Sequence, residues 1–228
     1  ITAGYGVMER DQLTRDLIHL SGDLGLNLQY IQVTGRSHTP TEMLVAATDI
    51  KMGQPLLSIP LATVHRNLTQ IGWVESAIVE RLMPSTIKIT ITERTPLALL
   101  QTRNGHELID RRGTIIDGAD PTEFSHLTVV AGKDAAINAG LILDVLKTEP
   151  ELFAEVWAVT YQSGRRWDVH LRNGIDIRLP ETDPNTAWSR LAIVDHKKNI
   201  IGRDLAVIDL RVPEQLIVEP NIPVRGEG

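Results

Sequence analysis

The chain has 228 residues, 42% hydrophobic and 23% charged, proportions that suit folded globular domains and exclude a wholly disordered chain. A formal charge of −6, no Lys/Arg stripe and only 2 Phe and 3 Tyr argue against a nucleic-acid binder with a base-stacking platform. No cysteine is present, which excludes a disulfide framework, thiolate catalysis and cysteine-ligated metal.

No window reaches the roughly 18 apolar residues of a membrane-spanning helix. The sequence opens at Ile1 without an initiator methionine, and the expectation is a processed or excised fragment; any membrane anchor or targeting segment would then lie upstream of Ile1. Residues 1–26 read as a juxtamembrane lead-in segment with a short amphipathic helix, because Leu13, Leu17, Ile18 and Leu24 fall at helical spacing and Gly22 and Gly25 close it.

Residues 27–100 carry a compact β-α-α-β-β pattern. Residues 28–33 alternate as a strand that Gly35 ends. A short helix through Ala47 follows, with Pro40 at its first position and Thr39 as N-cap. A second helix over 61–71 places Val64, Leu68 and Ile71 on one face and stops at Gly72. The last element is a long hairpin. Over 86–93, Ile87, Ile89 and Ile91 face one way and Lys88, Thr90 and Thr92 the other, the period of a strand with one buried face. Its other arm holds Ile78, Val79 and Leu82, joined through Met83-Pro84-Ser85.

Residues 101–220 read as a mainly antiparallel β domain with flanking helices. Asn104-Gly105, Ser163-Gly164 and Asn173-Gly174 each separate strand-like runs as hairpin turns do. Helices are expected over 134–147 and 184–198, the second capped by Asp183 with Trp188, Leu191 and Val194 on one face. LAVIDLRV, 205–212, reads as a strand buried on at least one face. Pro213 breaks the run, and residues 215–219 form a last short strand. The tail 221–228 is Pro- and Gly-rich and reads as disordered. The fold class is therefore α+β.

Catalytic patterns are weak throughout. The seven histidines never fall in HxxxH or HExxH spacing, and His170 reads as a solvated side chain on the outer face of its strand. Gly132-Lys133-Asp134 lacks the first glycine and the Ser/Thr of a phosphate loop. Ser85-Thr86-Ile87-Lys88 fits S-x-x-K, but that chemistry needs Ser and Lys one turn apart on a helix, and here they open a strand. No cofactor or metal is expected and the chain is not read as an enzyme. An enzyme with scattered active-site residues remains a third reading, separable by an assay for turnover.

The β-α-α-β-β order with WVESAIVERLMPSTIKITITERTPLAL, 73–99, resembles a POTRA domain, and specifically that of the FtsQ/DivIB family of bacterial division proteins. LIDRRGTIID, 108–117, is similar to the family's strand and turn after that domain, GRRWDVHLRNGIDIRLP, 164–180, to its central hairpin, and AVIDLRV, 206–212, to its penultimate strand. The sequence departs from the family where Val212 stands in place of a common aromatic residue, so no aromatic partner contact is expected there.

The resemblance implies a non-catalytic, single-pass inner-membrane protein at the division septum, with this portion in the periplasm. It further implies binding of FtsB and FtsL through the second domain and of other divisome proteins through the POTRA domain. A terminal strand exposes unpaired backbone groups if it lies at the sheet edge, and a partner strand can add to them. The expected docking segment is Arg211, Val212, Gln215, Leu216, Ile217 and Val218, with Arg211 facing an acidic partner and Pro at Ile217 abolishing binding. Read from residues alone, the segment is ordinary core and Arg211 a solvated charge; the resemblance favours docking. The alternative is a POTRA-type peptide-binding chaperone module of an outer-membrane assembly or secretion system, although the 28–100 pattern does not repeat.

Overall fold

The computed structural model describes residues 20–221, which divide between Arg94 and Thr95 into two compact units. The helix expected through Leu13, Leu17 and Ile18 and the tail 222–228 lie outside the described residues. No helix among the described residues is long and apolar enough to cross a membrane.

The first unit has the expected β-α-α-β-β order. Strand β1 (Tyr30–Thr34) is followed by helices α1 (Thr41–Thr48) and α2 (Leu61–Thr69), then by strands β2 (Val74–Leu82) and β3 (Thr86–Glu93). The sheet runs β1-β3-β2, with β3 central, parallel to β1 and antiparallel to β2. The isoleucine alternation explains this placement. Ile87, Ile89 and Ile91 are buried against Leu44 of α1 and Val64 and Leu68 of α2, while Lys88, on the opposite face, reaches Glu80 at 3.9 Å. Gly35 can end β1 because it has φ 85°, and a Cβ there would run into the Ile91 carbonyl oxygen.

Two local expectations change. Thr39 does not cap α1: Pro40 holds the position before the helix, and no side chain caps its first turn. Of the apolar arm of the hairpin, only Val79 turns inward; Ile78 and Leu82 lie on the exposed face, opposite Thr90 and Thr86. Because β2 is an edge strand, its core face is completed by Arg81, which donates to the Leu56 carbonyl at 3.1 Å and to that of Ile59.

Glu93 ties the end of β3 to the loop before α1. It accepts from the backbone N–H of His38 at 2.9 Å and of Thr39 at 2.8 Å, and the His38 ring stacks on Trp73 at 4.2 Å. Burial pushes the Glu93 carboxyl upward, but the hydrogen bonds from His38 and Thr39 outweigh it and bring the pKa down to about 2.

The second unit is built on an eight-stranded sheet. Its strands are β4 (Pro96–Thr102), β5 (Gly105–Asp110), β6 (Val129–Ala131), β7 (Val156–Gln162), β8 (Arg166–Leu171), β9 (Asp176–Arg178), β10 (Leu205–Asp209) and β11 (Ile217–Pro220), in spatial order β11-β10-β9-β8-β7-β6-β4-β5. The division drawn from patterning at 100/101 falls inside β4, which pairs with β5 and β6. The sheet is mixed. The Asn-Gly and Ser-Gly hairpins give the antiparallel pairs β4–β5, β7–β8 and β8–β9, whereas β4–β6, β6–β7 and β9–β10 are parallel.

Helices α3 (Ala135–Leu146), α4 (Pro150–Ala154) and α5 (Pro184–Lys198) pack on the sheet's apolar side. Helix α5 begins where Asp183 accepts from the Thr186 N–H at 3.2 Å. It buries Trp188 completely, and the indole N–H donates to the Leu146 carbonyl at 3.0 Å, joining α5 to the end of α3.

Candidate protein-binding edge

The two edges of the large sheet differ in what covers them. On β5, the Asp110 N–H donates to the Thr114 carbonyl at 3.0 Å and the Leu108 carbonyl accepts from the Ile116 N–H at 2.8 Å, so the chain folds back over its own edge. On β11, all four strand residues are exposed.

Register shows which backbone groups β11 offers. Leu210 donates its N–H to the Arg178 carbonyl on β9 at 3.0 Å, so by strand alternation Asp209 and Val207 turn their backbone groups toward β11. These two residues pair with Ile217 and Glu219, so both of those face back into the sheet. The N–H and C=O of Val218 therefore point outward. Pro220, with no N–H, ends the available stretch.

The expected docking residues take different roles. Ile217 and Val218 form the strand and are 43% and 42% exposed. Leu216 packs on the core, and the Gln215 carbonyl accepts from Arg190 of α5 at 3.1 Å, which fixes the segment leading into β11. Val212 lies exposed in the loop between β10 and β11. Arg211 is not a free charge. Its Nε lies 2.9 Å and 3.0 Å from the two Asp209 oxygens, so Asp209 already holds it. That guanidinium, assisted by the Arg211 N–H, holds the Asp209 carboxyl below the usual carboxylate range against the effect of burial.

Sequence reasoning missed the charged row on the outer face of this edge. Arg178 of β9 stands 4.0 Å from Asp209 and 3.7 Å from Glu219 of β11, so Arg211, Asp209, Arg178 and Glu219 form a chain of contacts of alternating sign that ends on the edge strand. The available signal was i,i+2 spacing: Asp209 and Arg211 share a strand face, as do Ile217 and Glu219. His170 also departs from expectation. It is bound by Asp176 at 2.7 Å and Thr160 at 2.9 Å, bridging β7, β8 and β9. Among the described residues no three His, Asp or Glu side chains gather as metal ligands.

Comparison with known proteins gives a consistent result across both units. Residues 26–94 match the family model described as POTRA domain, FtsQ-type, and residues 98–211 match Cell division protein FtsQ/DivIB, C-terminal. The chain is 34% identical over 209 residues to the cell division protein FtsQ of Caulobacter vibrioides strain NA1000, covering 92% of this chain and 69% of that protein. It is 28% identical to that of Rhizobium meliloti over 86% of this chain and 63% of the relative, and 27% identical to that of Rickettsia conorii over 91% and 77%. The C-terminal family match ends at Arg211, so β11 lies beyond it.

Proposed function

Because this chain belongs to the FtsQ/DivIB family of cell division proteins, we propose that it acts in the divisome as a non-catalytic scaffold, docking a partner strand on β11. The expected partners are FtsB and FtsL, with other divisome proteins meeting the POTRA unit, and the expected setting is the periplasmic side of the inner membrane at the septum. One observation carries the reading: β11 is an exposed edge whose Val218 N–H and C=O point outward, while the opposite edge is covered by residues 114–116. Added main-chain hydrogen bonds of about 0.5–1.5 kcal/mol each would supply affinity, and the side chains beside them selectivity.

Register also selects the test. Proline at Ile217 would remove an inward N–H and detach β11 from β10, confusing lost docking with lost structure. Val218→Pro removes only the outward N–H. In pull-downs with an FtsB-type partner, Val218→Pro should abolish capture while the β10–β11 amide signals persist. Capture equal to that of the unaltered chain would refute strand addition at this edge.

A further inference from the structure

We infer that β11 selects a partner strand carrying a basic residue opposite Glu219, with apolar residues opposite Val218 and Ile217; this rests on the docking reading above. Asp209 is taken by Arg211 through two short contacts from Nε. Arg178 is shared between Asp209 at 4.0 Å and Glu219 at 3.7 Å, beyond hydrogen-bonding distance of either. Glu219 is thus the outermost member of the row, its side chain 56% exposed, and its carboxylate is open to a further donor.

Geometry then places that donor. Val218 sits in the outward hydrogen-bonding position, so a strand laid on β11 brings one residue opposite it, on the sheet face shared with Ile208. The neighbours of that residue fall on the outer face, opposite Ile217 and Glu219. Directly opposed cross-strand side chains have Cβ atoms about 4.5–5.5 Å apart, where opposite charges attract and like charges repel. A Lys or Arg continues the alternation of Arg178 and Glu219; an Asp or Glu meets Glu219 head-on. The selecting charge is therefore Glu219, and Arg211, spent on Asp209, does not call for an acidic partner.

The test uses three short alternating Val/Thr peptides, identical except for Lys, Gln or Glu at one outer-face position, titrated into the isotope-labelled chain while the Val218 amide is followed. The Lys peptide should bind about three- to tenfold more tightly than the Glu peptide, with Gln between them. Glu219→Lys should invert that order. Peptides that shift the Val218 amide with equal affinity, or an order that Glu219→Lys leaves unchanged, overturn the charge selection alone. Peptides that leave the Val218 amide unmoved overturn strand addition, and the inference with it.

Discussion

The Arg211 guanidinium grips the Asp209 carboxylate two residues back along the same run, with Nε 2.9 Å from one oxygen and 3.0 Å from the other. The pair fixes the exit from β10, because Asp209 also accepts from the Arg211 backbone N–H at 3.0 Å. Asp209→Asn keeps the shape but removes the carboxylate that Arg211 grips and one of the two that Arg178 meets, Glu219 being the other. A loss of about 1–3 kcal/mol at neutral pH is expected. The Asp209 carboxyl is depressed in the folded chain, so its contribution is complete above the ordinary carboxylate range and fades as pH falls through the lowered folded value. Urea unfolding at neutral and strongly acid pH should show the variant's deficit shrinking in acid.

Glu93 makes a second, independent acid-sensitive contribution in the first unit. Its carboxyl is brought from 4.5 to about 2, with its side chain only 8% exposed. Stability from this group is present in full above pH 4.5 and disappears as pH drops through about 2. Glu93→Gln retains an acceptor for the His38 and Thr39 N–H groups but loses the charge. It should cost roughly 1–3 kcal/mol at pH 7 and little near the bottom of that window. A deficit that stays constant across denaturation curves from pH 7 to pH 2 would rule out the charge as its source.

Legibility in the sequence followed the range of the signal. Helix α5 and strand β3 were readable because their cues are local: an Asp183 cap before Pro184, and isoleucines at every second residue of β3. The parallel pairs β4–β6 and β6–β7 left no such cue, since turn residues report only which neighbouring strands fold back on each other. At the proposed docking edge, the terminal strand and its residues were visible from patterning. The outward direction of Val218 was not, because it depends on register across three strands, nor was the capture of Arg211 by Asp209 recognised. Val212 and Gln215 entered the expected docking set by position in sequence. The structure puts both outside β11, with the Gln215 carbonyl engaged by Arg190.

Trp188 offers a test of how the helices are held on the large sheet. It is wholly buried, and its N–H reaches the Leu146 carbonyl, one of the last carbonyls of α3, which also accepts from the Glu149 N–H at 3.3 Å. Trp188→Phe keeps an aromatic ring but leaves that carbonyl with the Glu149 N–H alone, so the loss of one hydrogen bond, about 0.5–1.5 kcal/mol, is expected beyond any change of volume. Trp188→Ala should cost more, about 3–5 kcal/mol. Urea midpoints measure both, provided the slope of the transition is unchanged; equal losses for the two variants would show that packing contributes nothing beyond the hydrogen bond.

The hairpin of the first unit provides a paired comparison on a single sheet. Ile89 and Ile78 lie on adjacent strands and are identical in chemistry, yet Ile89 is fully buried and Ile78 is 59% exposed. Ile89→Ala removes buried methyl groups from among Leu44, Val64 and Leu68 and leaves a cavity, a change that costs about 2–5 kcal/mol. Ile78→Thr keeps a β-branched side chain suited to an edge strand and exchanges apolar surface already in water, so its effect should stay within about 0.5 kcal/mol. Thermal unfolding of the two variants side by side distinguishes the faces. A comparable loss at Ile78 would mean that the outer face of this sheet is covered, since only removal of buried surface carries a cost of that size.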